Sequence, residues 1–141
     1  MSGPYLTGAE TALQTAILQH LSADEGVTSI LGDPPRVFDQ VGAYPTFPFL
    51  EISAHEVKPA AGVDVDLMEH RLDLRVLTQW GGRSECRQVL SVIRQSLEAA
   101  QLTLADHTLV YCFPVFSDVL MLKDGKTVRG IVRLKAVTQV G

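Results

Sequence analysis

The sequence is poor in cysteine: Cys86 and Cys112 are the only two among 141 residues. That excludes a disulfide framework, and with no secretory leader ahead of the first periodic segment, synthesis in a reducing cytoplasm is expected. Long apolar runs are missing as well. A bilayer span needs roughly 20 apolar residues, whereas the longest run, Leu109 to Phe116, is short and contains Pro114; no membrane partner is expected. Positive charge is in deficit, with 12 Lys and Arg against 16 Asp and Glu for a net charge of -4. This argues against a free-standing nucleic-acid binder, because phosphate affinity rests on clustered cations, but it leaves room for DNA passing nearby.

Signatures of catalysis are also lacking. The string closest to a nucleophile elbow, Gly82-Arg83-Ser84-Glu85-Cys86, has no second glycine to permit the strained turn. Gly81-Gly82-Arg83-Ser84 has no Walker lysine, so it reads as a strand-to-helix turn with Ser84 at the helix start. His20, His55, His70, His107 and the cysteines show none of the short spacings that build a zinc site. The acidic pair Asp64 and Asp66 falls in a loop, without the rigid, desolvated setting that general acid-base chemistry needs. The chain is expected to carry no catalytic residue, metal or cofactor.

What is present suits a folded core: 46% of residues are hydrophobic and 20% charged, with no long polar or proline-rich tract. The length fits a single domain over residues 1–141, large enough to do without metal or disulfide support. The organising stretch is Leu67 to Trp80. Its even positions Met68, His70, Leu72, Leu74, Val76, Thr78 and Trp80 are mostly apolar and alternate with Glu69, Arg71, Asp73, Arg75 and Gln79, the period of a half-buried strand. On that row His70 reads as a satisfied core histidine.

Around this strand the order ααβ(β)βαββ is expected. Leu13, Ile17 and Leu21 recur at helical spacing, with Thr7 and Glu10 as a capping box, and Ser22 with Glu25 starts a second short helix stopped by Gly32 and Pro34-Pro35. Val37 to Val41 is a brief strand. In Phe49 to Val57, Leu50, Ile52 and Ala54 alternate with Glu51, Ser53 and His55. Lys58 to Asp66 has no period and is read as a long mobile hairpin loop. From Arg83 to Ala100, Cys86, Val89, Leu90, Ile93, Leu97 and Ala100 form a helical stripe. Leu109 to Leu122 is apolar on both faces, with Leu109, Tyr111, Phe113, Val115 and Met121 on one and Val110, Phe116, Leu120 and Leu122 on the other. Asp124-Gly125 then turns a tight hairpin into Thr127 to Val140, whose Val128, Gly130, Val132, Leu134 and Ala136 face the core. The fold class is α+β, an antiparallel or at most mixed sheet with helices on one face.

If the last strand lies beside the central one, Arg71, Arg75, Arg129, Arg133 and Lys135 share a face with Glu69 and Asp73. Two readings stand: cross-strand ion pairs on a solvated face, or a subunit interface, which Leu77 and Ile131 on that face and the doubly apolar Leu109 to Leu122 strand support.

The order of segments resembles a known family. ETALQTAILQHLSADEGVTSILGDPPRVFDQV, a proline-bearing segment before FLEIS, EHRLDLRVLTQWGGRSECRQVLSVIRQSLEAA and the closing hairpin DGKTVRGIVRLKAVTQ are similar to the tail-terminator, or tail-completion, proteins of long-tailed bacteriophages and gene transfer agents. The telling strings are Glu69-His70-Arg71 leading to Trp80-Gly81-Gly82, and Asp124-Gly125 leading to Arg133-Leu134-Lys135-Ala136-Val137. Extra prolines at Pro45, Pro48 and Pro59 depart from the pattern at the first sheet edge.

The resemblance implies a non-enzymatic subunit of a homohexameric ring. Such a ring caps the head-proximal end of a tail tube, stops its polymerisation and joins the head-tail connector protein. DNA passes through the channel without sequence-specific binding, and the location is a virion or phage-like particle assembled in the bacterial cytoplasm. Since the family has no fixed binding motif, candidates are read from the strands. Glu69, Arg71, Asp73, Arg75, Val115, Met121, Arg129, Ile131 and Arg133 are expected at the subunit interface; Lys58, Val63, Asp64, Val65 and Asp66 are expected to touch the tail tube protein. The alternatives are a ligand-binding or small enzymatic α+β domain, which needs a deep pocket around His70 and Trp80, and a nucleic-acid-associated module, which needs the cations gathered on one open surface.

Overall fold

A computed structural model describes residues 7–60 and 66–141. The order is α1 (Ala9–Ala23), α2 (Glu25–Leu31), β1 (Val37–Phe38), β2 (Phe49–Pro59), β3 (Leu67–Gln79), α3 (Gly82–Glu98), β4 (His107–Met121) and β5 (Thr127–Val140). The strands form one sheet, β1-β2-β3-β5-β4, antiparallel except for the β1–β2 pairing, with the helices on one face. The expected α+β class therefore holds, with a mixed sheet.

The core lies between helices and sheet. Leu13, Ile17, Leu21, Cys86, Val89, Leu90, Ile93 and Leu97 meet Leu50, Leu72, Leu74, Val76, Val128, Val132 and Leu134, because the 3.6 and 2.0 periods each place one apolar row on the same side. At Gly130 the approach is tight: a Cβ there would lie 2.8 Å from Cys86 Sγ and from Leu90 Cδ1.

Helix starts differ from the expectation. Gly8, not Thr7, caps α1, and no side chain bonds its free N–H groups; the Thr7 N–H instead donates to Asp106 Oδ2 at 2.7 Å. Asp24, not Ser22, caps α2 by accepting from the Val27 N–H at 3.1 Å, while the Ser22 hydroxyl donates back to the Leu18 carbonyl.

Bulges reset the strand faces. In β2 the register shifts between Ile52 and Ala54, so Leu50 and Ile52 face the helices and then His55 and Val57 do. His55, expected on the polar face, is thereby turned inward, because one extra residue reverses the alternation beyond it. β4 carries two shifts, Leu109/Tyr111 and Pro114/Phe116. Leu109, Cys112, Val119 and Met121 pack towards the core, whereas Tyr111, Phe113, Phe116 and Leu120 lie on the face without helices.

Trp80 leaves the apolar row altogether: it sits beyond the end of β3 with φ 72° and is 77% exposed. Lys58, expected in a loop, belongs to β2 opposite Glu69. The expected tight turn at Asp124-Gly125 is a type of hairpin closed by the Gly125 N–H on the Leu122 carbonyl, with positive φ at Gly125 alone.

Candidate functional site

The helix-free face of the sheet is built from the alternate residues of β2, β3, β5 and β4, which cross-strand pairing sets in rows. One row is Lys58, Glu69, Val137 and Tyr111; the next is Glu56, Arg71, Lys135 and Phe113. Then follow Ala54, Asp73, Arg133 and Phe116; Glu51, Arg75, Ile131 and Asp118; and Phe49, Leu77, Arg129 and Leu120.

Charges on this face compensate each other across strands. Arg71 pairs with Glu56 and Arg75 with Glu51. Arg133 forks onto Asp73 with Nε at 2.8 Å and Nη2 at 3.3 Å, and its guanidinium covers the Phe116 ring with Cζ 5.1 Å from the centroid. The Asp73 carboxylate pushes the Arg133 pKa up from its ordinary value. Lys135 Nζ lies 4.0 Å from Glu69. The expected cross-strand ion pairs are present, and the cations do not gather into the open basic surface a nucleic-acid module would use.

The apolar groups are distributed differently. Val110, Phe113, Val115, Phe116 and Leu120 are each close to half exposed, and all belong to β4. β4 is an edge strand, so an unpaired row of backbone groups and an apolar flank coincide, the combination that invites another chain. Among the expected interface residues, Glu69, Arg71, Asp73, Arg75, Arg129, Ile131 and Arg133 share the open face. Val115 sits at the β4 bulge on the same flank, and Met121 packs under the helices. Arg129 Nε is buried without a hydrogen-bond partner. Lys58 lies at the far end of β2, near Asp66; Val63, Asp64 and Val65 fall outside the described residues.

Sequence reasoning missed Glu51, Glu56 and Asp118. Asp118 had a signal, being the one charged side chain within Leu109 to Leu122; Glu56 was concealed by the β2 bulge.

Beneath the helices a polar chain crosses the core. Gln14 Nε2, His55 Nδ1 and Nε2, His70 Nδ1 and Nε2, and Thr138 Oγ1 are linked at 2.9, 2.9 and 2.8 Å. His70 is a satisfied core histidine, and burial pushes its pKa down to about 4. Among the described residues no three His, Cys, Asp or Glu side chains converge as a metal set. The cavity beside His70, of about 270 Å³, is lined by Glu56, Val57, Lys58, Glu69 and Arg71 and is remote from Trp80 at the other end of β3.

Residues 15–139 match the family model described as tail completion protein gp17. A chain of the virion of a native gene transfer agent particle is similar to this one with a TM-score of 0.82 at 20% identity, over 94% of this chain and 98% of that one. The gp17 protein of bacteriophage SPP1 is similar with a TM-score of 0.61 at 20% identity, over 94% and 91%. These likenesses show the fold. No curated protein matches.

Proposed function

Because the chain belongs to the tail completion protein gp17 family, a structural component of the virion tail rather than an enzyme, we propose that it closes a finished tail tube as a homohexameric ring. In this reading the ring sits at the head-proximal end, stops addition of further tube subunits and offers its outer surface to the head-tail connector, leaving a channel for DNA. Assembly takes place in the bacterial cytoplasm.

The observation that carries the reading is the one-sided sheet: helices cover one face, while the other ends on a long apolar edge, β4, that needs a neighbour. A ring is the closed form of head-to-tail association between unlike patches. The open face, with Glu69, Arg71, Asp73, Arg75, Arg129, Ile131 and Arg133, supplies the subunit boundary or channel wall, and the β2–β3 hairpin end beyond Lys58, with Asp66, supplies the tube contact. Charge balance on the wall suits DNA that must pass without being held.

Particles produced without this chain test the proposal. Tail tubes of unregulated length that carry no heads are expected. Tails of normal length joined to heads would overturn it. Deleting Ala60 to Val65 is expected to leave the fold intact and to abolish tube capping; normal tail length and head joining in that variant would refute the role given to the hairpin end.

A further inference from the structure

Two edges of the sheet lack a strand among the described residues. β1 pairs with β2 only at Leu50 and Glu51, leaving the remainder of β2 uncovered, and nothing lies beyond β4. Each edge is regular over one stretch. On β4 the two bulges and Pro114, which has no N–H to donate, leave Phe116 to Met121; on β2 the bulge leaves Ala54 to Pro59.

Charge distinguishes the same two stretches. The four cross-strand pairs use Glu51, Glu56, Glu69 and Asp73. Among the described residues Asp118 on β4 meets no cation and accepts only from the N–H of its neighbour Val119 at 2.8 Å. Lys58 on β2 meets no carboxylate among the described residues.

We propose that the β4 edge of one copy pairs antiparallel with the β2 edge of a second copy, setting Asp118 opposite Lys58 and Val119 opposite Val57. The proposal rests on the ring reading and names its subunit contact. Successive antiparallel pairings make β2 and β4 run in opposite senses, so a second copy in the same orientation meets β4 antiparallel. A slip of one residue would put the helices of the two copies on opposite sides of the joined sheet. A slip of two in one direction sets Asp118 against Glu56, a like-charge pair; in the other it carries Asp118 past the end of β2. In the proposed register Val57 and Pro59 enter the groove of about 410 Å³ between β4 and α3, which Leu90, Arg87 and Arg94 line.

The register also implies a stagger. Through β3, Lys58 is level with Val137 on β5, while Asp118 is level with Ile131. Neighbouring copies are therefore displaced by six residues, about 20 Å at the rise of a strand. Closing a sheet on itself requires such a displacement; without it, Pro114 and the β4 bulges would face β2.

Oxidation of a Lys58→Cys/Asp118→Cys variant in a Cys112→Ser background tests this, read on non-reducing gels beside light scattering of the unmodified chain. The reduced variant must give the wild-type circular dichroism spectrum. The expected result is an oligomer in solution and a ladder of covalent multimers, with no ladder from Lys58→Cys/Val119→Cys, whose side chains leave opposite faces. An oligomer without the Lys58/Asp118 ladder overturns the edge pairing and leaves the ring standing. A monomer up to near-millimolar concentration, still monomeric on purified tail tubes, overturns both. As a second readout, Asp118→Lys should reduce oligomer formation at least tenfold and Asp118→Lys/Lys58→Asp should restore it; failure of the double reversal also counts against the register.

Discussion

Gly130 lies directly under helix α3, and its requirement is steric. An added methyl would meet both Cys86 Sγ and Leu90 Cδ1 at 2.8 Å, so Gly130→Ala is expected to lower stability by about 1–3 kcal/mol through overpacking, seen as a lower urea midpoint with unchanged slope. His70 makes a different prediction. Its neutral form is held by His55 and Thr138, and burial brings its pKa from 6.5 to about 4. Unfolded chains take up a proton below about pH 6.5 that folded chains refuse until about pH 4. Its contribution is therefore complete above pH 6.5 and is lost as pH falls through that window, by about 3 kcal/mol in all. Urea unfolding at pH 7, 5.5 and 4.5 should show a stepwise decline, and a flat profile would contradict it. The sequence made His70 legible as a core residue from its row alone. It did not reveal His55, because the bulge that turns His55 towards His70 has no glycine or proline to mark it.

At the scale of elements, long periodic segments were readable and their ends were not. α3 carries its expected stripe from Cys86 to Leu97, and β3 and β5 keep their alternation throughout, since each buries one continuous face. Helix α2 owes its start to Asp24 rather than Ser22. The Asp24 carboxylate is bonded first by Ser96 of α3 and also by the Val27 N–H, which hold its pKa below the ordinary carboxylate value. Asp24→Ala is expected to cost about 1 kcal/mol as a lost cap, measured by thermal unfolding, whereas Ser22→Ala, whose hydroxyl only bonds back within α1, should be close to neutral. β4 was the hardest element to read. Its two bulges redistribute an almost wholly apolar sequence between faces, and within Leu109 to Leu122 no charged residue except Asp118 reports the change.

For the whole molecule, the apolar residues of β4 and the alternating charges of β3 and β5 were visible as a surplus that one helix layer cannot cover. Their arrangement into a paired wall and a free edge needed the strand order. The account's central claim is that this surplus is covered by neighbouring copies in a ring at the end of a tail tube. Electron microscopy of purified tail tubes mixed with the full chain tests it most directly. The account predicts six-fold rings on one end of each tube, with an open channel wide enough for duplex DNA; bare tube ends, or the protein bound along the tube wall, would contradict it.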